Sequence, residues 1–176
     1  MDIAGGKNHS ILLNSSGEVY VTGINKFGEL GQETSIKKTP AFTKIANINK
    51  IVRIDANDSG GIALNVDGKV YTWGQNVYGS LGTGNKTSTH IPVEIPNVSN
   101  IVDVSGGKYH SIVQDKEGNA YTVGTNTYGN LGNGTKNESL TFTRNTRLWK
   151  CNGNFSRNRL YSLLKTRWKR MGIWRL

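Results

Sequence analysis

The side chains that could do chemistry are few and scattered. Two of the three histidines, His9 and His110, share the context Gly-Gly-x-x-His-Ser, while His90 stands alone before Ile91-Pro92. A metal centre or a general base would need further imidazoles or carboxylates at ligand spacing. Neither His-x-Glu nor His-x-x-x-His occurs, and no carboxylates cluster. A histidine repeated at matching strand starts is instead expected to be structural, hydrogen-bonded between repeated units. Ser10, Ser16 and Ser111 lie in no Gly-x-Ser-x-Gly elbow, so nucleophilic catalysis has no support. Gly129-Asn130-Leu131-Gly132-Asn133-Gly134 is glycine-rich but lacks the Gly-Lys-Ser/Thr ending of a phosphate loop. The single cysteine, Cys151, can build neither an internal disulfide nor a thiolate metal site. No enzyme activity, catalytic residue, cofactor or metal is expected.

Charge gives a second, misleading lead. The chain carries a formal net charge of +10, which suggests nucleic acid. Residues 147–176, however, hold nine Lys or Arg and no Asp or Glu, so residues 1–146 carry 13 basic against 12 acidic side chains. The basic signal belongs to the tail, and no nucleic-acid binding is expected of the rest. No stretch approaches the ~20 apolar residues of a membrane span. The start, Met1-Asp2-Ile3-Ala4-Gly5-Gly6, has neither the basic nor the apolar region of a signal peptide. Abundant Asn, Lys and Ile suggest AT-rich coding and a bacterial source.

The elements that must position these residues announce themselves as a repeat. Gly17-Glu18-Val19-Tyr20-Val21-Thr22-Gly23-Ile24-Asn25-Lys26-Phe27-Gly28-Glu29-Leu30-Gly31 recurs from Gly68 to Gly82 and from Gly118 to Gly132, at spacings of 51 and 50 residues. An upstream half accompanies it: Asp2 to Ser10 matches Asp103 to Ser111, whereas the middle copy, Arg53 to Gly61, keeps register but lacks the Gly-Gly pair and the histidine. Ser10-Ile11-Leu12-Leu13, Val19-Tyr20-Val21 and Val70-Tyr71-Thr72-Trp73 are β-branched and aromatic runs bounded by Asn, Asp, Ser and Gly, and read as strands. Asn14-Ser15-Ser16-Gly17, Asn65-Val66-Asp67-Gly68 and Asp115-Lys116-Glu117-Gly118 each place glycine where a tight hairpin needs positive φ. Thr39-Pro40-Ala41-Phe42 and His90-Ile91-Pro92-Val93 supply further extended segments. Four short strands in ~50 residues make one propeller blade.

The pattern Gly-x-x-Tyr/Trp-x-x-Gly-x-Asn-x-Phe/Tyr-Gly-x-Leu-Gly, together with Gly-Gly-x-x-His-Ser, resembles the RCC1 repeat. The resemblance covers residues 1–144 and implies a β-propeller, seven-bladed in the family, that binds proteins through loops on one face. Known members include an exchange factor for a small GTPase that also binds chromatin, and bacterial secreted propellers that inhibit β-lactamases. The expected fold is therefore all-β: a partial RCC1-like propeller of about three four-stranded blades in an open arc, with an irregular or helical C-terminal tail. The copies are placed at about 1–50, 51–100 and 101–146. Met1 falls inside the blade motif, so the chain is expected to be part of a larger repeat protein, itself secreted or on the cell surface. Missing blades or self-association are expected to complete it.

The tail, 147–176, breaks the repeat. A fourth copy would put its landmarks at positions 168, 171 and 174, where the chain has Trp168, Met171 and Trp174. Tryptophan has the codon TGG alone, so reading one base later forces glycine at 168 and 174. Met171-Gly172 gives tryptophan in the same shifted frame. The tail is accordingly read as a fourth repeat translated out of frame. Taken at face value, Leu160, Leu163, Leu164, Trp168 and Met171 would form a basic amphipathic helix over 158–170.

The variable residues between landmarks are the candidates for binding. They are Lys26, Phe27 and Glu29 in the first copy, Val77, Tyr78 and Ser80 in the second, and Thr127, Tyr128 and Asn130 in the third. Aromatic side chains in loops can anchor an interface, although a repeated aromatic also suits packing within its own blade. Gln32–Lys38 differs most between copies. The expected function is a non-catalytic protein-interaction module. The alternative is exchange-factor-like regulation of a small GTPase, with a protein partner in either case.

Overall fold

The structure, a computed structural model, describes residues 1–33 and 35–147. These form twelve strands in three antiparallel four-stranded sheets, and no helix occurs among them. The first sheet holds β1 (Asp2–Gly5), β2 (His9–Leu13), β3 (Val19–Ile24) and β4 (Lys38–Lys44). The second holds β5 (Ile51–Asn57), β6 (Gly60–Asn65), β7 (Val70–Gly74) and β8 (Thr89–Glu94). The third holds β9 (Ile101–Gly106), β10 (His110–Asp115), β11 (Ala120–Gly124) and β12 (Ser139–Arg144). Each sheet is a meander in chain order. β1 lies against β5 and β5 against β9, so the first strand of each blade is innermost. Apart from Arg147, the proposed out-of-frame tail, its helix over 158–170 and Cys151 lie outside the described residues.

Local chemistry explains the hairpins. The Asn14 Oδ1 accepts hydrogen bonds from the Ser16 and Glu18 amides at 3.0 and 2.9 Å, and the Asn65 Oδ1 does the same for Asp67 and Lys69 at 3.0 and 2.9 Å. Asp115 accepts the Asn119 amide at 2.8 Å. The turn then closes through a glycine at positive φ: 76° at Gly17, 76° at Gly68 and 81° at Gly118. Its carbonyl accepts the first amide of the following blade, Ile51 to Gly17 at 3.1 Å and Ile101 to Gly68 at 3.3 Å. One tight turn thus fixes both a hairpin and the approach of the next sheet.

The apolar faces meet between blades rather than within one. Ile11, Leu13, Val19 and Val21 of the first blade bury against Ile54, Ala56, Ala63 and Trp73 of the second. Ile62, Leu64 and Val70 bury against Val104, Val113, Val123 and Phe142 of the third. Alternation along each strand sends successive side chains to opposite seams, so one blade serves two cores. Polar bonds pin the seams as well. The Asp55 carboxylate accepts the Ser105 hydroxyl at 3.0 Å and the Gly106 amide at 2.9 Å, and the Ser111 hydroxyl donates to the Ser80 carbonyl at 2.9 Å.

Candidate functional site at the loop end

Antiparallel strands alternate in direction, so the β1–β2 turn and the β3–β4 loop of a blade emerge at one end. The hairpin after the second strand and the connection to the next blade emerge at the other. The first end therefore gathers the turns at 6–8, 58–59 and 107–109 with the long loops 25–37, 75–88 and 125–138. All nine candidate binding residues belong to those loops.

Each long loop is built around one buried asparagine. The Asn76 Oδ1 accepts the Leu81 amide at 3.0 Å, while its Nδ2 donates to the Thr83 hydroxyl at 3.1 Å and to the Asn85 and Thr87 carbonyls at 2.9 and 3.2 Å. Asn25 accepts from Leu30 at 3.1 Å and donates to the Ile36 carbonyl at 2.7 Å. Asn126 accepts from Leu131 at 2.9 Å and donates to the Thr135 and Asn137 carbonyls at 3.0 and 2.9 Å. Buried polar groups must be paired, and a single amide side chain here satisfies several backbone groups that no strand can reach. Just before each asparagine, the ladder to the fourth strand shifts register at Gly23, Gly74 or Gly124. These glycines have φ between 105° and 119°, and a Cβ there would overlap the start of the second strand.

The candidate residues divide into presented and supporting groups. Lys26 is exposed, with its ammonium 5.0 Å from the centroid of the half-buried Phe27 ring. Val77, Thr127 and Tyr128 are exposed, Tyr128 at 82%. Tyr78 is 42% exposed and stacks on Tyr109 of the next blade, with centroids 4.2 Å apart and planes tilted by 41°. Glu29 and Ser80, by contrast, are buried. The Glu29 carboxylate accepts the Phe27 amide at 2.6 Å, and its carbonyl accepts the Trp73 indole N–H at 3.0 Å across the seam. The half-buried Asn130 accepts the Tyr128 amide at 3.3 Å. The Glu29 and Asn130 side chains and the Ser80 carbonyl hold the loops in shape.

Two groups go beyond the sequence reading. One is the set of buried asparagines, whose recurrence at one position in all three copies was the available signal. The other is the turn of the neighbouring blade: the Lys108 ammonium lies 4.9 Å from the Tyr109 centroid. Tyr109, and after it the Asp58 carboxylate, holds that ammonium above its ordinary range. Of the stretch Gln32–Lys38, Lys38 opens β4; the connection between the paired ends Gly23 and Thr39 is one residue longer than those from Gly74 to Thr89 and Gly124 to Ser139.

The histidines are apart from one another. His9 Nε2 bonds the Gly60 carbonyl at 3.0 Å, joining the first blade to the second. Burial lowers the pKa of His9 and takes that of His110 down to about 4, so both rings are neutral at neutral pH. Among the described residues no three His, Cys, Asp or Glu side chains come together as a metal site. No described helix is long and apolar enough to cross a membrane.

The fold and loop pattern have close parallels. A family model described as the regulator of chromosome condensation (RCC1) repeat matches residues 67–114, and a second of that description matches 2–29 and 51–80. The human E3 ubiquitin-protein ligase HERC2 is 33% identical over 97 residues, 53% of this chain and 2% of its own length. The human regulator of chromosome condensation is 34% identical over 92 residues, 52% of this chain and 22% of its own. The human X-linked retinitis pigmentosa GTPase regulator is 30% identical over 92 residues, 51% of this chain and 9% of its own. This chain thus spans a small part of each relative. Among solved structures, Prp20p from Saccharomyces cerevisiae, described with its binding to Gsp1p and histones, superposes with a TM-score of 0.72 at 24% identity, covering 82% of this chain and 37% of that one. Human WBSCR16 superposes at 0.75 with 18% identity, covering 85% and 40%. At these identities the structures speak to the fold alone.

Proposed function

Because the chain belongs to the regulator of chromosome condensation (RCC1) repeat family, we propose that its three blades act as a non-catalytic protein-interaction module that meets its partner at the loop end. The observation that carries this reading is the division of labour in the long loops. A buried asparagine fixes each loop from within, and the freed positions put Lys26, Val77, Tyr78, Thr127 and Tyr128 into solvent. Rigidly held aromatics suit binding because little entropy is lost when they are covered. The test is retention of protein partners by the immobilised chain. Tyr78→Ala with Tyr128→Ala should abolish retention without changing the far-ultraviolet circular dichroism. Equal retention by that variant would refute the reading.

Regulation of a small GTPase is the second reading, supported by the match to a relative named as a GTPase regulator. A nucleotide-release assay separates the two. Acceleration of GDP release by the chain at catalytic concentration would favour the second reading, and the interaction module alone gives none. The greater length of the relatives supports reading these blades as part of a larger propeller protein. Genomic sequence across codons 144–147 tests the out-of-frame origin of the tail: an uninterrupted frame in close relatives would exclude it.

A further inference from the structure

The two ends of the arc treat their lysines differently. At the hairpin end three of four lysines are paired, Lys44 with Glu18 at 2.6 Å, Lys69 with Glu94 at 3.0 Å and Lys116 with Glu117 at 3.9 Å, and Lys50 has no ion-pair partner among the described residues. At the loop end Lys86 pairs with Glu138 at 2.7 Å, but Lys7, Lys26, Lys37, Lys108 and Lys136 have no ion-pair partner among the described residues. The carboxylates there do little to offset them. Glu29 is turned inward on the Phe27 amide, leaving Glu33 and Asp58. Two of the unpaired ammonium groups lie over aromatic rings, Lys26 over Phe27 and Lys108 over Tyr109, and Tyr109 is itself stacked on the exposed Tyr78.

We infer that the loop end receives an acidic, extended polypeptide segment, its carboxylates meeting Lys26 and Lys108 and its apolar side chains covering the Tyr78–Tyr109 pair. The assignment rests on the interaction-module reading above and adds the chemistry of the partner. An ammonium resting on a ring has lost part of its hydration while keeping N–H groups directed to a second acceptor, which favours a discrete carboxylate. A nucleic-acid backbone fits less well. It would bring a phosphate at every nucleotide against the fixed Asp58 carboxylate beside Lys108, whereas a peptide can place an uncharged residue there. Hydrophobic contact alone would leave the five lysines without a role.

The test uses the full 176-residue chain and three probes of equal length: a dodecapeptide alternating glutamate and proline, its glutamine–proline counterpart, and oligothymidylate. Biolayer interferometry should show the glutamate peptide binding at least about tenfold tighter than the glutamine peptide, and weakening as salt rises. Lys26→Gln with Lys108→Gln should remove that preference. Tyr78→Ala should weaken both peptides, and Lys69→Gln at the opposite end should change neither. Unaltered circular dichroism would certify the folding of each variant. Equal binding of the two peptides would overturn the acidic assignment while leaving an apolar docking module in place. Binding of neither peptide, tighter binding of oligothymidylate, or equal sensitivity to Lys69→Gln would overturn it as well.

Discussion

At the scale of the residue, the motif Gly-Gly-x-x-His-Ser is a packing unit. The His9 ring lies against Gly6 and the His110 ring against Gly107, so closely that a Cβ on either glycine would overlap the imidazole. The middle blade has Asn57 and Gly60 at these places, exchanging both halves of the pair together, and the Gly60 carbonyl becomes the acceptor for His9. A second exchange accompanies it: Gly61 leaves the space that the Trp73 ring fills, where the third blade has Ser111 and Val123. Trp73→Phe should therefore lose the indole bond to Glu29 and cost about 1–3 kcal/mol, measured as a shift in urea midpoint at constant slope. The buried histidines also set an acid limb. An unfolded chain takes up a proton at His110 below about 6.5, whereas the folded chain refuses it until about 4. Stability is full above the upper value and falls as pH drops through that window, by an amount of order 3 kcal/mol. Urea titrations at successive pH values should show this loss, and His110→Gln should flatten it.

At the scale of the element, the loops depend on their asparagines more than on their length or glycine content. Asn76→Ala removes one acceptor and the donors to three oxygen atoms in a site closed to water. A cost of about 2–4 kcal/mol follows from the groups left unpaired. Hydrogen exchange should rise across 77–88 while strands β5 and β6 stay protected. The strands and hairpins were readable beforehand because their signals are local: Asn or Asp to open a turn, glycine to close it, β-branched and aromatic residues between. The roles of Glu29 and Ser80 were not. Both are polar residues in glycine-rich loops, and such residues ordinarily face water. Their burial follows from a neighbour 31 to 44 positions away, since their carbonyls receive Ser111 and Trp73 of the next blade. The stacking of Tyr78 on Tyr109 was hidden for the same reason. Repeat spacing tells which residues are equivalent, and only the angle between blades tells which ones meet.

At the scale of the whole molecule, the two outer faces of the blades differ in polarity. Ile3 is 79% exposed and Phe42 50% exposed, while their equivalents one or two blades on, Ile54, Val104 and Phe142, are all at least 92% covered. The first blade thus presents apolar side chains that an internal seam would bury. The far face of the third blade is more polar, with Gln114 where the other blades have Leu13 and Leu64, and Ala120 in place of Val19 and Val70. Ile3→Lys with Phe42→Ser should lower concentration-dependent association in sedimentation velocity. Because both side chains are already solvated, the monomer's stability should change by no more than about 0.5 kcal/mol. Unchanged association would show that the chain does not join through this face.

The asparagine-centred loops carry a last implication. Each loop is shaped from within by one amide and anchored from outside by the next blade, through the Trp73 and Ser111 bonds to the Glu29 and Ser80 carbonyls, so only its exposed positions can be exchanged freely. Thr127→Val alone, at the exposed position that matches Val77, should carry that surface feature of the second blade to the third and leave the Asn126 bonds in place. Such a scaffold can change what it grips one blade at a time, with its interior untouched by the change.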